Sequence, residues 1–245
     1  MYMKLKIFLC LIFIETFCTV KAQNLSDNDL TDRNCYDYAV RPGTEEWKSM
    51  SYSQRLSACQ LPDDTLSSIS TARLLNTCLI YPYNIDIFSF DDGLLGFSKI
   101  RSWFNGYSAL FQRSDIAGNI ITLYSSRNPN YITGMRSSRE QGRYSIEYYI
   151  LELMLVQPVT INSANDSQSE QIVKMLLNKL DKSELLPNYY SRMDYDIVCL
   201  AMGRYLQRII SFSNYNGTTL LDFLNDGKVR NTSDLDYIIN EARKI

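Results

Sequence analysis

Histidine does not occur at any of the 245 positions of this sequence. Without an imidazole, the Ser-His-Asp and Cys-His arrangements that activate a nucleophile are excluded, and so is a histidine general acid or base. Zinc and iron sites that depend on histidine ligands, including the His-Glu-x-x-His metalloprotease site, are excluded for the same reason. The function classes that remain are those that work without histidine.

Other catalytic and ligand-binding patterns are missing as well. No lysine follows a serine by three positions, and no Cys-x-x-Cys occurs. A phosphate-binding loop before Gly227-Lys228 would need a glycine where Asp222 stands. The same stretch fails as a calcium loop, because Leu224 and Ser233 occupy positions that need an oxygen ligand and a terminal glutamate. We therefore expect no metal, no cofactor and no catalytic residue of these classes.

The absence of histidine does not exclude catalysis by carboxylates, because glycoside hydrolysis needs only two acidic side chains at a defined separation. The candidates are Glu147, Glu152, Asp194 and Asp196. Glu147 and Glu152 stand five residues apart, so on one helix they point to different faces. The simpler interpretation of each of these residues is a solvated position on a helix surface.

Long apolar runs are also rare, and the first residues carry the most distinctive one. Lys4 and Lys6 precede an apolar run from Ile7 to Ile14, and Val20-Lys21-Ala22 provides small residues before Gln23. This order is typical of a secretory signal peptide. The run is shorter than the roughly 20 residues that span a bilayer, although an uncleaved membrane anchor is the alternative. The sequence predicts a signal peptide at 1–22, export to the periplasm or extracellular space, and no transmembrane segment after cleavage.

Charge gives no indication of a polyanionic partner. The whole chain has 25 basic and 27 acidic residues. Removing residues 1–22 takes away three lysines and one glutamate and leaves 22 basic against 26 acidic residues, a net charge of −4. A chain with this balance has no general electrostatic attraction to nucleic acid or to an anionic membrane. We expect no nucleic-acid partner.

Four cysteines remain after signal cleavage: Cys35, Cys59, Cys78 and Cys199. An even number in an exported protein favours disulfides, and four cysteines allow three pairings. Cys59 and Cys78 fall on neighbouring short helices, so we predict that they form one disulfide and that Cys35 pairs with Cys199. The alternative is that some of them are small buried apolar side chains.

The periodicity of apolar residues predicts an all-α, multi-helix globular domain at 41–245, with an irregular array of helix pairs as one possible layout. Residues 23–40 are polar and predict a flexible leader. Thr44 and Ser70 are expected N-caps. The polar stretch 127–142 predicts a long loop and a subdomain boundary. The clearest predicted helices are Ser70–Leu79, Asp115–Ser126, Tyr144–Val156, Glu170–Leu186, Asp194–Phe212 and Ser233–Arg243.

Tyrosine is abundant, with 18 tyrosines against two tryptophans. Tyrosines suit recognition surfaces because a large ring with a polar tip loses little rotamer entropy, although the more common role is to fill half-buried helix positions. We predict a binding surface around Tyr131, Tyr144 and Tyr148, because these residues lie in or beside the polar stretch 127–142 and loops on a rigid scaffold often carry binding residues. Asn-x-Ser/Thr sequons begin at Asn24, Asn165, Asn216 and Asn231.

Several motifs in the first half of the chain resemble those of a group of uncharacterised exported proteins from Bacteroides-type gut bacteria. The residues concerned are Arg41-Pro42-Gly43-Thr44-Glu45-Glu46-Trp47, Ala58-Cys59-Gln60-Leu61-Pro62, Ser70-Thr71 to Leu74-Leu75 with Cys78-Leu79 and Tyr81-Pro82, and Phe104-Asn105-Gly106. The resemblance covers about 41–124. It implies export and makes the sequons irrelevant, and it transfers no catalytic or binding residue.

Two functions follow as hypotheses. The first is a non-enzymatic binding or cell-envelope structural protein whose partner is a macromolecule, either a protein or a glycan. The second is a hydrolase without histidine that acts on glycans through paired carboxylates.

The position of the mature N-terminus tests the export prediction. We expect exported protein to begin at Gln23, because Val20 and Ala22 provide the small residues that signal peptidase requires. N-terminal sequencing of protein from the medium or periplasm checks this expectation. Recovery of exported protein that still begins with Met1 would contradict it.

Overall fold

The computed structural model describes residues 34–210, 212 and 217–245, so the predicted signal peptide 1–22 and most of the leader lie outside the described residues. The chain divides into two compact units, Met1–Ala109 (unit 1) and Leu110–Ile245 (unit 2). The boundary between the two units falls before the polar stretch 127–142, where the sequence predicted a subdomain boundary. Within the described ranges every regular element is a helix, which confirms the all-α prediction. Among these residues we find no helix with the length and apolar character that crossing a bilayer demands.

From residue 34 onward, unit 1 is built from short helices joined by tight turns. Thr44 and Ser70 cap two of these helices as predicted, because their hydroxyl oxygens accept hydrogen bonds from the backbone N–H groups of Trp47 and Arg73. In chain order the elements are α1 (Glu45–Ser49), α2 (Tyr52–Ala58), α3 (Asp63–Ser68), α4 (Thr71–Leu79), a 3-10 helix (Pro82–Ser89), α5 (Gly93–Trp103) and α6 (Asn105–Leu110), whose last residue already belongs to unit 2.

Aromatic rings form the centre of unit 1. Tyr81 stacks on Phe104 with ring centroids 4.5 Å apart, and Tyr107 meets both rings edge-on. Phe97 on α5 adds a further edge-on contact to Tyr107 at 5.4 Å. All four side chains are buried. Edge-on and stacked pairs of this kind add stability beyond the burial of their apolar area.

Asn84 connects the 3-10 helix to the end of α4. The last carbonyl groups of a helix have no partner within the helix and need one from outside. The Asn84 Nδ2 donates to the carbonyl oxygens of Cys78 at 2.8 Å and Leu79 at 3.1 Å. In turn, the Tyr107 hydroxyl donates to Asn84 Oδ1 at 2.7 Å. One buried amide therefore satisfies both the end of α4 and the ring cluster.

The last part of the predicted leader is held against α4. The backbone N–H of Tyr36 donates to Thr77 Oγ1 at 2.9 Å, and Arg73 Nε donates to the carbonyl of Cys35 at 3.2 Å. The prediction of a flexible leader over 23–40 is therefore wrong for these residues. The composition of the leader does not reveal this attachment, because the attachment consists of hydrogen bonds to backbone groups and needs no run of apolar side chains.

The predicted disulfides are not present. No pair of cysteines within the described residues lies at bonding distance, so the Cys59–Cys78 and Cys35–Cys199 pairings are corrected. Cys59, Cys78 and Cys199 are buried free thiols. Burial raises the pKa of Cys59 to about 11 and the pKa of Cys78 well above its ordinary value. These thiols serve as small apolar side chains, the alternative that the sequence left open.

Unit 2 contains the longest helices. Three of them begin with a reciprocal capping box, formed by Ser137 with Glu140, Asn165 with Gln168, and Ser191 with Asp194. In chain order the elements are α7 (Ile116–Ser125), a 3-10 helix (Pro129–Gly134), α8 (Ser138–Leu155), α9 (Pro158–Ser163), α10 (Asp166–Glu184), α11 (Arg192–Ile209), α12 (Leu220–Asp226) and α13 (Thr232–Ala242).

The polar stretch 127–142 is not a long loop. It contains the 3-10 helix Pro129–Gly134 and the first turn of α8, which begins six residues before the predicted start at Tyr144. The capping box of Ser137 and Glu140 explains the earlier start, because it supplies partners to backbone N–H groups of the first turn. The prediction followed apolar periodicity, which is weak in this polar first turn.

Two of the sequons have a structural role. Asn165 and Asn231 are the N-cap residues of α10 and α13, and their side-chain oxygens accept hydrogen bonds from the backbone N–H groups of Gln168 and Ser233. Asparagine is among the residues favoured at the N-cap position. Helix capping therefore accounts for the asparagine of these two sequons. Asn24 and Asn216 lie outside the described residues.

The buried middle of α8 is the core of unit 2. Residues 147–155 of this helix are buried on every side, where α7, α9, α11 and the 3-10 helix pack against α8. The α10 and α11 helices pack along each other, and α11 also contacts α12 and α13. A helix buried all round is expected to be apolar. This one nevertheless carries the two carboxylates of Glu147 and Glu152.

A close backbone approach in unit 1 gives a stability test. A Cβ atom on Gly96 of α5 would lie 2.7 Å from the carbonyl oxygen of Ile87, closer than packing allows. We expect Gly96→Ala to lower the free energy of unfolding by about 1–3 kcal/mol, because the helix must move away from the backbone of the 3-10 helix. Urea unfolding measures the change.

The control is Gly142→Ala on α8, where an added Cβ meets no atom within 4 Å. This change should be neutral or raise stability by up to about 1 kcal/mol, since alanine favours helix over glycine. Equal effects of the two substitutions would contradict the close approach at Gly96.

Candidate functional site

A partly open pocket of about 160 Å³ lies in unit 2. Three α-helices, the 3-10 helix that begins at Pro129 and one connection supply its lining. Its lining includes Tyr124 and Ser125 of α7, Arg127 after that helix, Tyr148 of α8, and Asn178 and Lys179 of α10. Two positively charged side chains therefore face the same small space.

The helical period of each element explains why these residues meet. Tyr124 continues the apolar stripe of α7 that contains Ile116, Ile120 and Ile121, so it points into the core. Lys179 lies three residues after Leu176, on the buried stripe of α10. A lysine in this position must enter the core with its stripe, and its side chain is only 2% exposed.

Glu152 provides the counter-charge for Lys179. Its carboxylate is fully buried, and Lys179 Nζ lies 3.1 Å from Oε1. The Tyr124 hydroxyl donates to the same oxygen at 3.0 Å. The second oxygen, Oε2, has no hydrogen-bond partner in the part of the chain that the structure describes. A buried carboxylate with only one oxygen bonded is a costly arrangement.

Burial makes the charged form of Glu152 less favourable. Desolvation raises its pKa from 4.5 to about 7, and the negative charge of Asp194 acts in the same direction. The Lys179 ammonium opposes this shift but does not cancel it. Glu152 therefore exchanges its proton near neutral pH.

The Lys179 ammonium is surrounded mainly by aromatic rings. Nζ lies 4.8 Å from the ring centroid of Tyr190 and 5.9 Å from that of Tyr148. These distances permit cation–π attraction. Across the described residues, Nζ makes no contact with hydrogen-bond geometry, so its ion pair with Glu152 is not aligned as a hydrogen bond. The ammonium is therefore enclosed by the Glu152 carboxylate and two aromatic rings.

Arg127 forms a second ion-pair group with Glu147 and Arg143. Arg127 Nη2 lies 2.7 Å from Glu147 Oε2, and Arg143 Nε lies 3.1 Å from Oε1. The Arg127 side chain is only 12% exposed. Its Nε and Nη1 atoms are buried and have no hydrogen-bond partner among residues 34–210, 212 and 217–245. Glu147 therefore uses one edge of this guanidinium and leaves further donors unused.

Tyr148 links the two cations. Its ring centroid is 5.8 Å from the Arg127 guanidinium carbon and 5.9 Å from Lys179 Nζ. Tyr124 and Tyr144 meet this ring edge-on at 5.2 and 5.3 Å. Neighbouring rings on two sides fix the orientation of Tyr148. The pocket is therefore rigid on its aromatic side.

The three tyrosines predicted for binding occupy different environments. Tyr131 on the 3-10 helix is 60% exposed, whereas Tyr148 is buried and lines the pocket. Tyr144 is half-buried, and its hydroxyl donates to the carbonyl of Asn128 at 2.9 Å. The structure brings Tyr144 and Tyr148 into ring contact and joins both to Arg127. Their role in binding stays a prediction.

The four carboxylates considered for hydrolysis have structural partners. Glu147 and Glu152 are buried in ion pairs and lie outside the pocket lining. Asp194 belongs to the capping box of α11, where its Oδ2 accepts from Ser191 N and Oγ at 2.6 Å. Asp196 pairs with Arg192 at 2.9 Å. The expectation that these are solvated positions is wrong for Glu147, Glu152 and Asp194, all of which are buried.

Sequence reasoning missed Arg127 and Lys179. Arg127 begins the polar stretch 127–142, which the sequence predicts to be a loop, and only its tertiary contacts bury it. Lys179 had a signal, because a charged residue on the apolar stripe of α10 predicts a buried partner. Glu152 is likewise a charged residue within the apolar run of α8. The two charged residues in apolar surroundings have opposite signs, so together they could have predicted an ion pair.

Within this arrangement the available chemistry is binding and proton exchange. The Ser125 hydroxyl donates to the thioether sulfur of Met175 at 2.9 Å, so it is not activated by a base. The described residues contain no cluster of three or more cysteine, aspartate or glutamate side chains placed to hold a metal ion. The pocket is therefore a small space lined by charged, polar and aromatic side chains.

Comparison of the chain with models of known protein families, with characterised proteins and with solved structures finds no match.

The raised pKa of Glu152 predicts a dependence of stability on pH. The folded state binds the Glu152 proton more tightly than the unfolded chain does. The stabilisation of the folded state by this proton is therefore complete below about pH 4.5 and is lost as pH rises through about 7. The free energy of unfolding should fall across this range by at most about 1.4 kcal/mol per pH unit from this residue. Urea unfolding between pH 5 and 8 measures the slope.

Glu152→Gln removes the titrating group and should flatten that slope. Glu170→Gln, at an exposed position of α10, is the matched control and should retain it. If wild type and Glu152→Gln had the same slope, Glu152 would already be ionised at acidic pH.

Proposed function

We propose that this protein is an exported binding protein and not an enzyme, and that it holds its ligand at the pocket of unit 2 and on the tyrosines beside it. One observation carries the proposal. Arg127, Lys179 and Tyr148 line a partly open pocket, and the ring of Tyr144 lies 5.4 Å from the same Arg127 guanidinium. A concave site with charged and aromatic walls beside an ordered tyrosine is suited to hold a ligand.

Export is supported by the sequence of the first residues. The basic start, the apolar run from Ile7 to Ile14 and the small residues before Gln23 have the order of a secretory signal peptide. The resemblance of 41–124 to exported proteins of Bacteroides-type bacteria points in the same direction. We propose the periplasm or the extracellular space as the location.

A binding role accounts for the pocket better than hydrolysis does. Glycoside hydrolysis needs two carboxyl groups that flank a substrate bond within an open cleft. Glu147 and Glu152 are instead held by arginine, lysine and tyrosine partners and lie outside the lining. Carboxylates committed in this way stabilise the buried cations of the pocket lining.

Tyr131 and Tyr144 provide the surface next to the pocket for a macromolecular partner, a protein or a glycan. Tyr131 exposes most of its ring. Tyr144 is fixed in place, because its hydroxyl bonds the backbone of Asn128 and its ring lies 5.4 Å from the Arg127 guanidinium. A tyrosine that is already ordered loses little conformational entropy when a partner binds.

Alanine substitution of these tyrosines tests the proposal. We expect Tyr131→Ala combined with Tyr144→Ala to weaken capture of a partner from cell-envelope and glycan extracts by about 30-fold, the loss that corresponds to about 2 kcal/mol at one binding hot spot. The measurement is quantitative pull-down with purified mature protein, and circular dichroism should show unchanged helix content.

Tyr52→Ala is the matched control, because Tyr52 is a comparably exposed tyrosine in unit 1. It should leave capture at the wild-type level. Equal capture by wild type and the double variant would place the binding surface elsewhere on the protein.

A further inference from the structure

Positive charge is concentrated around the start of α8. Residues 127–144 include Arg127, Arg136, Arg139 and Arg143 but a single acidic residue, Glu140. The whole chain has 25 basic and 27 acidic residues, so this excess of positive charge is local. Arg136 and Arg139 are exposed, and the side chain of Arg143 is 24% exposed. These three residues are named the arginine surface below.

Neither Arg136 nor Arg139 forms an ion pair with any part of the chain that the structure describes. The acidic residue nearest in sequence, Glu140, is engaged elsewhere. Its Oε2 accepts hydrogen bonds from the backbone N–H groups of Arg136 and Ser137 at 3.0 and 3.1 Å. The Glu140 carboxylate therefore caps the start of α8 and forms no ion pair with either guanidinium group.

Three other exposed arginines of unit 2 do have carboxylate partners. Arg192, Arg230 and Arg243 pair with Asp196, Asp226 and Asp181 respectively. Within the described residues, the two exposed arginines at the start of α8 lack this neutralisation.

The position of Arg139 makes its charge unfavourable for the helix. Arg139 lies in the first turn of the 18-residue α8, where the helix dipole is positive and favours acidic side chains. Arg143 follows four residues later, and like charges at this spacing are neighbours on the helix surface and destabilise it. An anionic group bound at the arginine surface would offset both effects.

The residue types of this region are those of protein interfaces. Tyr131 is 60% exposed and lies on the 3-10 helix that packs against α8. Residues 127–144 contain no lysine. Arginine and tyrosine are enriched at the dominant positions of protein–protein interfaces, whereas lysine is depleted there. The planar guanidinium group also pairs with a carboxylate through two hydrogen bonds, which a lysine cannot do.

We infer that the arginine surface, together with Tyr131, binds an acidic segment of a protein partner. Carboxylates of that segment pair with Arg136, Arg139 and Arg143, and the ring of Tyr131 contacts its apolar atoms. The inference rests on the proposed binding function and adds the charge and the class of the partner. Because the chain as a whole is not basic, the attraction comes from this surface and not from net charge.

Fluorescence anisotropy of labelled poly-L-glutamate with purified mature protein tests the inference. Wild type should bind the polymer. Arg136→Gln combined with Arg139→Gln should weaken binding by at least about tenfold, because it removes two charges that have no internal partner. Raising NaCl from about 0.05 to about 0.5 M should also weaken wild-type binding, since salt screens exposed charges.

Lys174→Gln combined with Lys228→Gln is the matched control. Both lysines are exposed in unit 2 and lie outside the arginine surface, and the change in net charge is the same. This variant should bind poly-L-glutamate within about twofold of wild type. Circular dichroism should show unchanged helix content for both double variants. Equal weakening by the two would show that net charge alone governs binding and would overturn the inference.

Polygalacturonate distinguishes an acidic glycan from an acidic protein as the partner. At equal carboxylate concentration it should bind more weakly than poly-L-glutamate. Carboxylates on flexible glutamate side chains can reach each guanidinium group, whereas those fixed to a sugar ring cannot adjust. Equal or tighter binding of polygalacturonate would overturn the inference in favour of an acidic glycan.

Absence of poly-L-glutamate binding to folded wild-type protein would also overturn the inference. The pull-down with Tyr131→Ala and Tyr144→Ala separates this failure from a failure of the proposed function. If the tyrosine variant still loses partner capture while Arg136→Gln with Arg139→Gln retains it, the binding function stands and only the acidic class of the partner fails.

Discussion

The buried ion pair of Glu152 and Lys179 is the interaction on which the arrangement of unit 2 depends. Removing two charges from water costs several kcal/mol per ion, and their mutual attraction offsets this only with good geometry and further partners. Tyr124 supplies a hydrogen bond, and Tyr190 supplies a ring face. Glu152, Lys179 and Tyr124 belong to three different helices, so this group of contacts joins α8, α10 and α7.

In unit 1, the buried polar groups around Asn84 are paired with one another and carry no charge. Asn84 and Tyr107 form a neutral network in which the amide donates to two carbonyls and accepts from one hydroxyl. In unit 2, by contrast, the described contacts leave donors of Arg127 and an oxygen of Glu152 unused. A fully satisfied network stabilises one structure, whereas a partly satisfied network next to a pocket is suited to a ligand. Among the described residues, the hydroxyl groups of Tyr38 and Tyr81 in unit 1 are also buried without a hydrogen-bond partner, so it is the pocket that places the proposed function in unit 2.

Local features were predictable from the sequence and long-range contacts were not. The helical class and the caps at Thr44 and Ser70 follow from residues within one or two turns of each other. Burial of Arg127 and the hydrogen bonds of Cys35 and Tyr36 with α4 depend on residues distant in the chain, so no local pattern reveals them. The disulfide prediction failed for a related reason, since the proximity of two helices in sequence does not fix the separation of their thiols.

The Asn84 network also makes unit 1 sensitive to chemical ageing. Deamidation would convert the Nδ2 group, which donates to the carbonyls of Cys78 and Leu79, into an oxygen that repels both. The product would place a negative charge in a buried site beside the end of a helix, where the helix dipole is also negative. A change of one atom at a single side chain would therefore break the link between α4 and the aromatic centre.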